Sequence, residues 1–150
     1  MNNVRGISFE IPNEYGNFLE KILLGFPIEN YSWLLVKDEI LLKNVTFKEF
    51  DNDIVPGNIF KKFITNEPYY IISLNVQCFE SEHLAKKINN YEEFINSNCL
   101  LIVIIEDCKY VDIYVNSVTL LQLLINNVKS QKFLTFNYIN NKNDIHKTLS

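Results

Sequence analysis

The stretch CLLIVIIEDCKYVDIYV, residues 99–115, decides the fold. Residues 99–105 are a continuous apolar run of strand length, rich in β-branched side chains. Such a run predicts a central strand covered on both faces. Glu106, Asp107, Cys108 and Lys109 follow as a polar turn. Residues 110–115 then alternate, with Val111, Ile113 and Val115 inward and Tyr110, Asp112 and Tyr114 outward. A period of two is that of a half-buried strand, so the two segments read as a hairpin.

Working outward, residues 69–79 carry the best-marked alternation. Tyr70, Ile72, Leu74, Val76 and Cys78 share one face; Tyr69, Ile71, Ser73, Asn75, Gln77 and Phe79 share a second, mixed one. Near the start, Ile7, Phe9 and Ile11 alternate with Ser8 and Glu10. Pro12 ends that strand because it has no N–H to give to a ladder. Asn13 then offers a helix cap, and Tyr15, Phe18, Leu19, Ile22 and Leu23 form a helical stripe that Gly25 and Pro27 close. Residues 31–36 and 39–45 read as two strands about a turn at Lys37 and Asp38, and 47–58 as a surface loop before a short helix at 58–64.

Ser81 caps a predicted helix bearing Leu84, Lys87 and Ile88, and Asn90 and Glu93 have capping-box spacing before a helical piece at 91–96. Ser117 caps a longer helix striped by Val118, Leu121, Leu124, Ile125 and Val128. Residues 133–139 make a closing strand, and 140–150 are polar and expected to fray. Hairpins mixed with helices predict an α+β fold: a mixed, largely antiparallel sheet with helices packed mainly on one face. The 150 residues contain no linker rich in Gly, Pro or Ser, so one domain is expected.

Apolar residues make up 47% of the chain and charged ones 21%, enough to bury a core. The net charge is −4, and Arg5 is the one arginine. Nucleic-acid binding needs a basic face to neutralise phosphates, so that class is set aside. A mildly acidic surface suits a basic protein partner, and equally plain solubility. The apolar run at 100–105 is far short of the roughly 20 residues that cross a bilayer, and the chain opens without a signal-like segment. No membrane association is expected. Three cysteines, an odd number, do not read as a disulfide framework and point to a reducing cytoplasm.

RGISFEIPNEYG at 5–16 and EDCKYVDIYV at 106–115 resemble a family of uncharacterised small proteins from Bacillus-type bacteria, a domain of unknown function. The likeness runs from Arg5 to about Ile139, and the opening segment is its most specific part. The resemblance implies a soluble single domain and brings no activity, cofactor or site residue.

Several constellations bear on chemistry. Glu106, Asp107 and Asp112 cluster if 100–115 is a hairpin, and such carboxylates suit a divalent cation, a basic partner or a solvated turn. Asp51, Asn52 and Asp53 begin like a calcium loop, but Val55, Pro56 and Lys62 occupy positions that a ligand, a glycine and a glutamate should hold. Cys78 and His83 lie at a strand end and a helix start, the setting of an activated thiolate. Yet Cys78 falls on an apolar face, which argues for an inert buried thiol. The cysteines and histidines have no zinc-ligand spacing and the glycines stand isolated, so no metal or cofactor is expected.

Tyrosines on outward faces are suited to interfaces, because they bury area at modest entropy cost. The expected function is a non-enzymatic protein-binding module, immunity- or antitoxin-like, that meets a basic partner. Its contact residues are Tyr69, Glu106, Asp107, Tyr110, Asp112 and Tyr114. The alternative is a small enzyme or ligand-binding protein with a pocket near Cys78 and His83. A third reading is a homodimer joined through an edge strand.

Overall fold

The computed structural model describes residues 4–150. Its strands are β1 (Val4–Glu10), β2 (Ser32–Leu42), β3 (Ile54–Pro56), β4 (Tyr69–Phe79), β5 (Cys99–Glu106), β6 (Tyr110–Val115) and β7 (Leu134–Asn140). They form one seven-stranded sheet in the order β3-β2-β4-β5-β6-β1-β7. Every strand pairing is antiparallel. The fold is α+β, as the pattern predicts. The apolar run is β5, the middle strand, with Leu101, Val103 and Ile105 in one core and Ile102 and Ile104 in the other.

Helices α1 (Phe18–Ile22), α2 (Gly57–Thr65) and α4 (Val118–Ser130) pack on the first face; α3 (Tyr91–Ile95) lies on the second. α4 starts where Ser117 Oγ accepts the Leu120 N–H at 3.2 Å, and it buries Leu121, Leu124, Ile125 and Val128 of the predicted stripe, whereas Val118 in its first turn is exposed. α3 has a reciprocal cap. Asn90 Oδ1 accepts from the Glu93 N–H at 2.9 Å, and Glu93 Oε2 accepts from the Asn89 N–H at 2.7 Å.

Several local expectations are corrected. β2 runs straight through Lys37 and Asp38, because its ladder with β4 absorbs an extra residue between Leu35 and Lys37 instead of reversing. β4 carries a matching irregularity: Ser73 opposes Glu39 and Ile71 opposes Ile40, so Ile72 is skipped. A one-residue slip exchanges the faces of a strand. Tyr69 and Ile71 therefore join Leu74, Val76 and Cys78 in the helix-covered core. Tyr69 is thus buried, not outward. Its hydroxyl donates to the Ile64 carbonyl at 3.0 Å and accepts the Leu19 N–H at 3.1 Å, joining α1 to α2.

Asn13 does not cap α1, which begins at Phe18. β3 lies inside the expected loop. Ser81 opens only the short 3-10 turn Glu82–Leu84. Beyond it, the Ile88 main chain bonds to a side chain of the sheet and is diverted from helical pairing. Residues 141–150 lie across the second face, where Leu149 is 1% exposed. Among the described residues no helix is long and apolar enough to cross a membrane.

Gly6 permits the close approach of β1 to β6: a Cβ there would lie 1.7 Å from the Ile113 carbonyl oxygen. The neighbouring atom is backbone of a central ladder and cannot swing aside. Gly6→Ala is expected to destabilise by about 3 kcal/mol or more, read as a lowered urea midpoint.

Candidate functional site

The site is assembled on the second face of the sheet. Asn75 pairs with Ile104 and Gln77 with Ile102, and these oppose Asp112 and Tyr114 of β6. Directly paired residues share a face, so two buried amides stand among apolar side chains. A buried amide without partners costs about 1–3 kcal/mol. Gln77 meets the demand on the Ile88 main chain, accepting its N–H at 2.8 Å and donating to its carbonyl at 3.0 Å. Asn75 Nδ2 donates to the Leu149 carbonyl at 2.8 Å. The Leu149 N–H in turn donates to the Asn89 carbonyl at 2.7 Å. Asn75 Oδ1 is buried and has no hydrogen-bond partner among the described residues.

Residues 141–150 form a strap that sets Asp144 and His146 over β6. Asp144 accepts from the Tyr114 hydroxyl at 2.6 Å, from Arg5 Nη1 at 2.9 Å and from the His146 N–H at 3.0 Å. The Arg5 guanidinium also lies 4.1 Å from the centre of the Tyr91 ring. His146 Nε2 bonds Asp112 Oδ2 at 2.6 Å, and its Nδ1 lies 3.8 Å from Glu106 Oε1. The bond to Asp112 raises the imidazole above its ordinary 6.5; burial opposes this, and the charges of Asp112, Glu106 and Asp144 add to it. The bond to Asp112 favours the charged form of the ring, and Glu106 stands near the other nitrogen.

A cleft of about 620 Å³ opens beside this ring. Residues 72–75 of β4, Lys37 and Glu39 of β2, Glu106, Asp107 and Cys108 of the β5–β6 turn, and His146, Thr148 and Ser150 of the strap line it. The turn is tight. Asp107 and Cys108 take left-handed φ of 51° and 67°, and the Lys109 N–H closes on the Glu106 carbonyl at 3.2 Å. The Cys108 N–H reaches the Ile72 carbonyl at 3.1 Å, locking the turn against the β4 bulge. Ser73 Oγ donates to Glu39 Oε1 at 2.5 Å, and this bond holds the Glu39 carboxyl below its usual value. Glu39 therefore stays ionised at neutral pH.

The six residues expected to form a binding face are dispersed by this arrangement. Glu106 and Asp107 reach the cleft, and Tyr110 is 47% exposed on β6. Asp112 is largely covered, turned toward His146. Tyr114 is fully buried, because α3 and the strap cover the face that was expected to meet water. Burial pushes its phenol pKa up, and the hydrogen bond to Asp144 adds to this. Tyr69 lies in the opposite core. Among the described residues no three His, Cys, Asp or Glu side chains converge as metal ligands, so Glu106, Asp107 and Asp112 form no cation triad.

The alternative pocket near Cys78 and His83 has no accessible thiol. Cys78 is fully buried among core side chains and burial pushes its pKa up, whereas His83 is exposed beside Ser81. Burial pushes the Cys99 thiol up to about 12. Sequence reasoning missed Arg5, Glu39, Ser73, Asn75, Asp144 and His146 as parts of one site. The one signal was the pair of amides, Asn75 and Gln77, inside an otherwise apolar strand end.

The fold and site define a small α+β protein whose sheet is closed on one face by helices and on the other by its own strap, with an acidic cleft at the strap's edge. The chain belongs to the family described as protein of unknown function (DUF2691), which matches residues 4–150. The match includes the strap, beyond the Ile139 limit of the likeness read from sequence. The chain is also 33% identical over 150 residues to uncharacterized protein YncE of Bacillus subtilis (strain 168), an alignment covering 97% of this chain and 98% of that one. No solved structure matches it.

Two phenols separate structural from surface tyrosine. Tyr114→Phe removes a donor from a buried carboxylate and is expected to cost about 1.5–3 kcal/mol. Tyr110→Phe is expected to stay within about 0.5 kcal/mol of the parent. Parallel urea unfolding curves read the difference.

Proposed function

We propose that this protein is a binding module that receives a basic segment of a partner protein in the cleft between the β4 bulge, the β5–β6 turn and the strap. The observation that carries the reading is Asn75 Oδ1, a buried acceptor without a partner among the described residues, in a cleft whose carboxylates Glu39, Glu106 and Asp107 outnumber its one lysine, Lys37, 3.5 Å from Glu39. An acceptor beside carboxylates fits a guest rich in N–H donors, and arginine or lysine side chains are such guests. The cleft volume falls within the range of sites that enclose a small ligand or a few side chains. The net charge of −4 favours the approach of a basic partner. Tyr110 extends the contact surface along β6.

The finer reading is an immunity- or antitoxin-like role, in which the cleft and the hairpin tip occlude a basic surface of a toxin. Binding is favoured over catalysis because both nitrogens of His146 face carboxylates and the Cys78 and Cys99 thiols are buried. The free cysteines fit residence in a reducing cytoplasm. A homodimer through β7 has less support. That edge is interrupted by register shifts and by Thr135 at φ 57°, features that discourage edge pairing.

An arginine-rich peptide and an acidic peptide of equal length test the reading by titration calorimetry. The basic peptide is expected to bind, and the combined variant Glu39→Gln, Glu106→Gln and Asp107→Asn to weaken it by about tenfold or more. Equal affinity of parent and variant, or equal binding of the acidic peptide, overturns it.

A further inference from the structure

We infer that residues 141–150 are a proton-operated gate on this cleft: the His146 imidazolium, clasped between Asp112 and Glu106, holds the strap shut, and loss of its proton releases it. The consequence for binding rests on the cleft reading above; the gating itself rests on the strap's own contacts.

Asp144, His146 and Leu149 hold the strap, and Ser150 Oγ donates to Asn89 Oδ1 at 2.7 Å. The Asp144 and His146 side chains are 4% and 12% exposed and Leu149 is buried, while the residues between them are exposed, Ile145 to 81%. Among the described residues the aromatic contact at the ring is the edge of Tyr114, 6.2 Å between ring centres. The charges around the strap are unbalanced. Asp112 comes from β6, Glu106 from the end of β5, and Asp144 from the strap itself. Arg5 of β1 and the Tyr114 phenol are both committed to Asp144. Among the described residues that leaves the ring proton of His146 as the cation paired with Asp112 and Glu106. A neutral imidazole carries one N–H and one lone pair. On losing the proton, one ring nitrogen turns a lone pair toward a carboxylate, and a contact becomes a repulsion.

The sign follows from linkage. His146 titrates above its ordinary 6.5 in the folded protein, chiefly through its bond to Asp112. Its contribution is complete below the ordinary value and is lost as the pH rises through the raised one. The strap is shut in mildly acidic solution and loosens in alkaline solution. His146, Thr148 and Ser150 form one side of the cleft, so release widens it. Release also frees the Glu106 and Asp112 carboxylates, and a basic guest then competes with the imidazolium for them. By reciprocity, entry of the guest expels the proton.

Amide hydrogen exchange of 145–150, corrected for intrinsic rates, tests the gate without any partner between about pH 6 and about pH 9. Protection in the parent is expected to fall severalfold across that range, while β5 amides hold. His146→Gln keeps an N–H for Asp112 but cannot titrate, and its profile is expected to be flat. A flat parent profile, or an equal slope in His146→Gln, overturns the inference. Proton NMR of the His146 ring must give a midpoint that coincides with the loosening; a midpoint at or below the ordinary imidazole value also overturns it.

The arginine-rich peptide supplies the second arm. Its affinity is expected to rise with pH, and its binding to release protons, seen as a dependence of the heat on buffer ionisation. Binding without either effect overturns the coupling. No binding at any pH defeats the cleft reading, while exchange still decides the gate.

Discussion

The second face of the sheet has to be closed to water and have its amides satisfied at the same time. Antiparallel sheets often leave one face wet. Here Ile102, Ile104 and Tyr114 make that face apolar, while Asn75 and Gln77 place hydrogen-bonding groups in its middle. A helix laid flat over them would present carbon and leave the amides unpaired. Extended main chain presents N–H and carbonyl groups, which is what Ile88 and Leu149 offer. The covering layer is therefore mostly non-helical on this side, and among the described residues α3 is the α-helix in it.

The cleft arises where three irregularities meet. The bulge at Ile72 breaks the face alternation of β4, the turn at Asp107 and Cys108 is fastened to that bulge, and the strap borders both. Bulges concentrate at places where a sheet re-aims its side chains. This one sends Tyr69 into the helical core and leaves Ser73 to hold Glu39 at the mouth of the cleft. The same device that completes one core thus orients a carboxylate over the other face. Asn75 Oδ1 is left buried there and, among the described residues, without a hydrogen-bond partner.

Charge organises the strap in the same economical way. Asp112, Glu106 and Asp144 are gathered around one arginine and one histidine. Arginine is a permanent cation, whereas histidine titrates near neutrality. The permanent half of the clasp fixes the entry of the strap at Asp144, and the titratable half sits at the cleft. The family match runs through residue 150, so the strap lies inside the matched region and not beyond it.

Local order was legible from the sequence where side-chain periodicity and burial agree. The run at 99–105 announced the central strand, Ser117 and its apolar stripe announced α4, and Asn90 with Glu93 announced α3. Glu106 and Asp107 were placed correctly at a hairpin tip, since a polar turn after an apolar strand has few alternatives. Tertiary structure alone decided the faces. One skipped residue in β4 inverted Tyr69, and a second covering layer buried Tyr114, neither of which leaves a trace in alternation. It also decided the fate of 141–150, because a polar segment docks or frays according to the partners the fold presents. Those partners, Asp112, Asn75 and Asn89, lie dozens of residues away and become its neighbours only when the sheet closes.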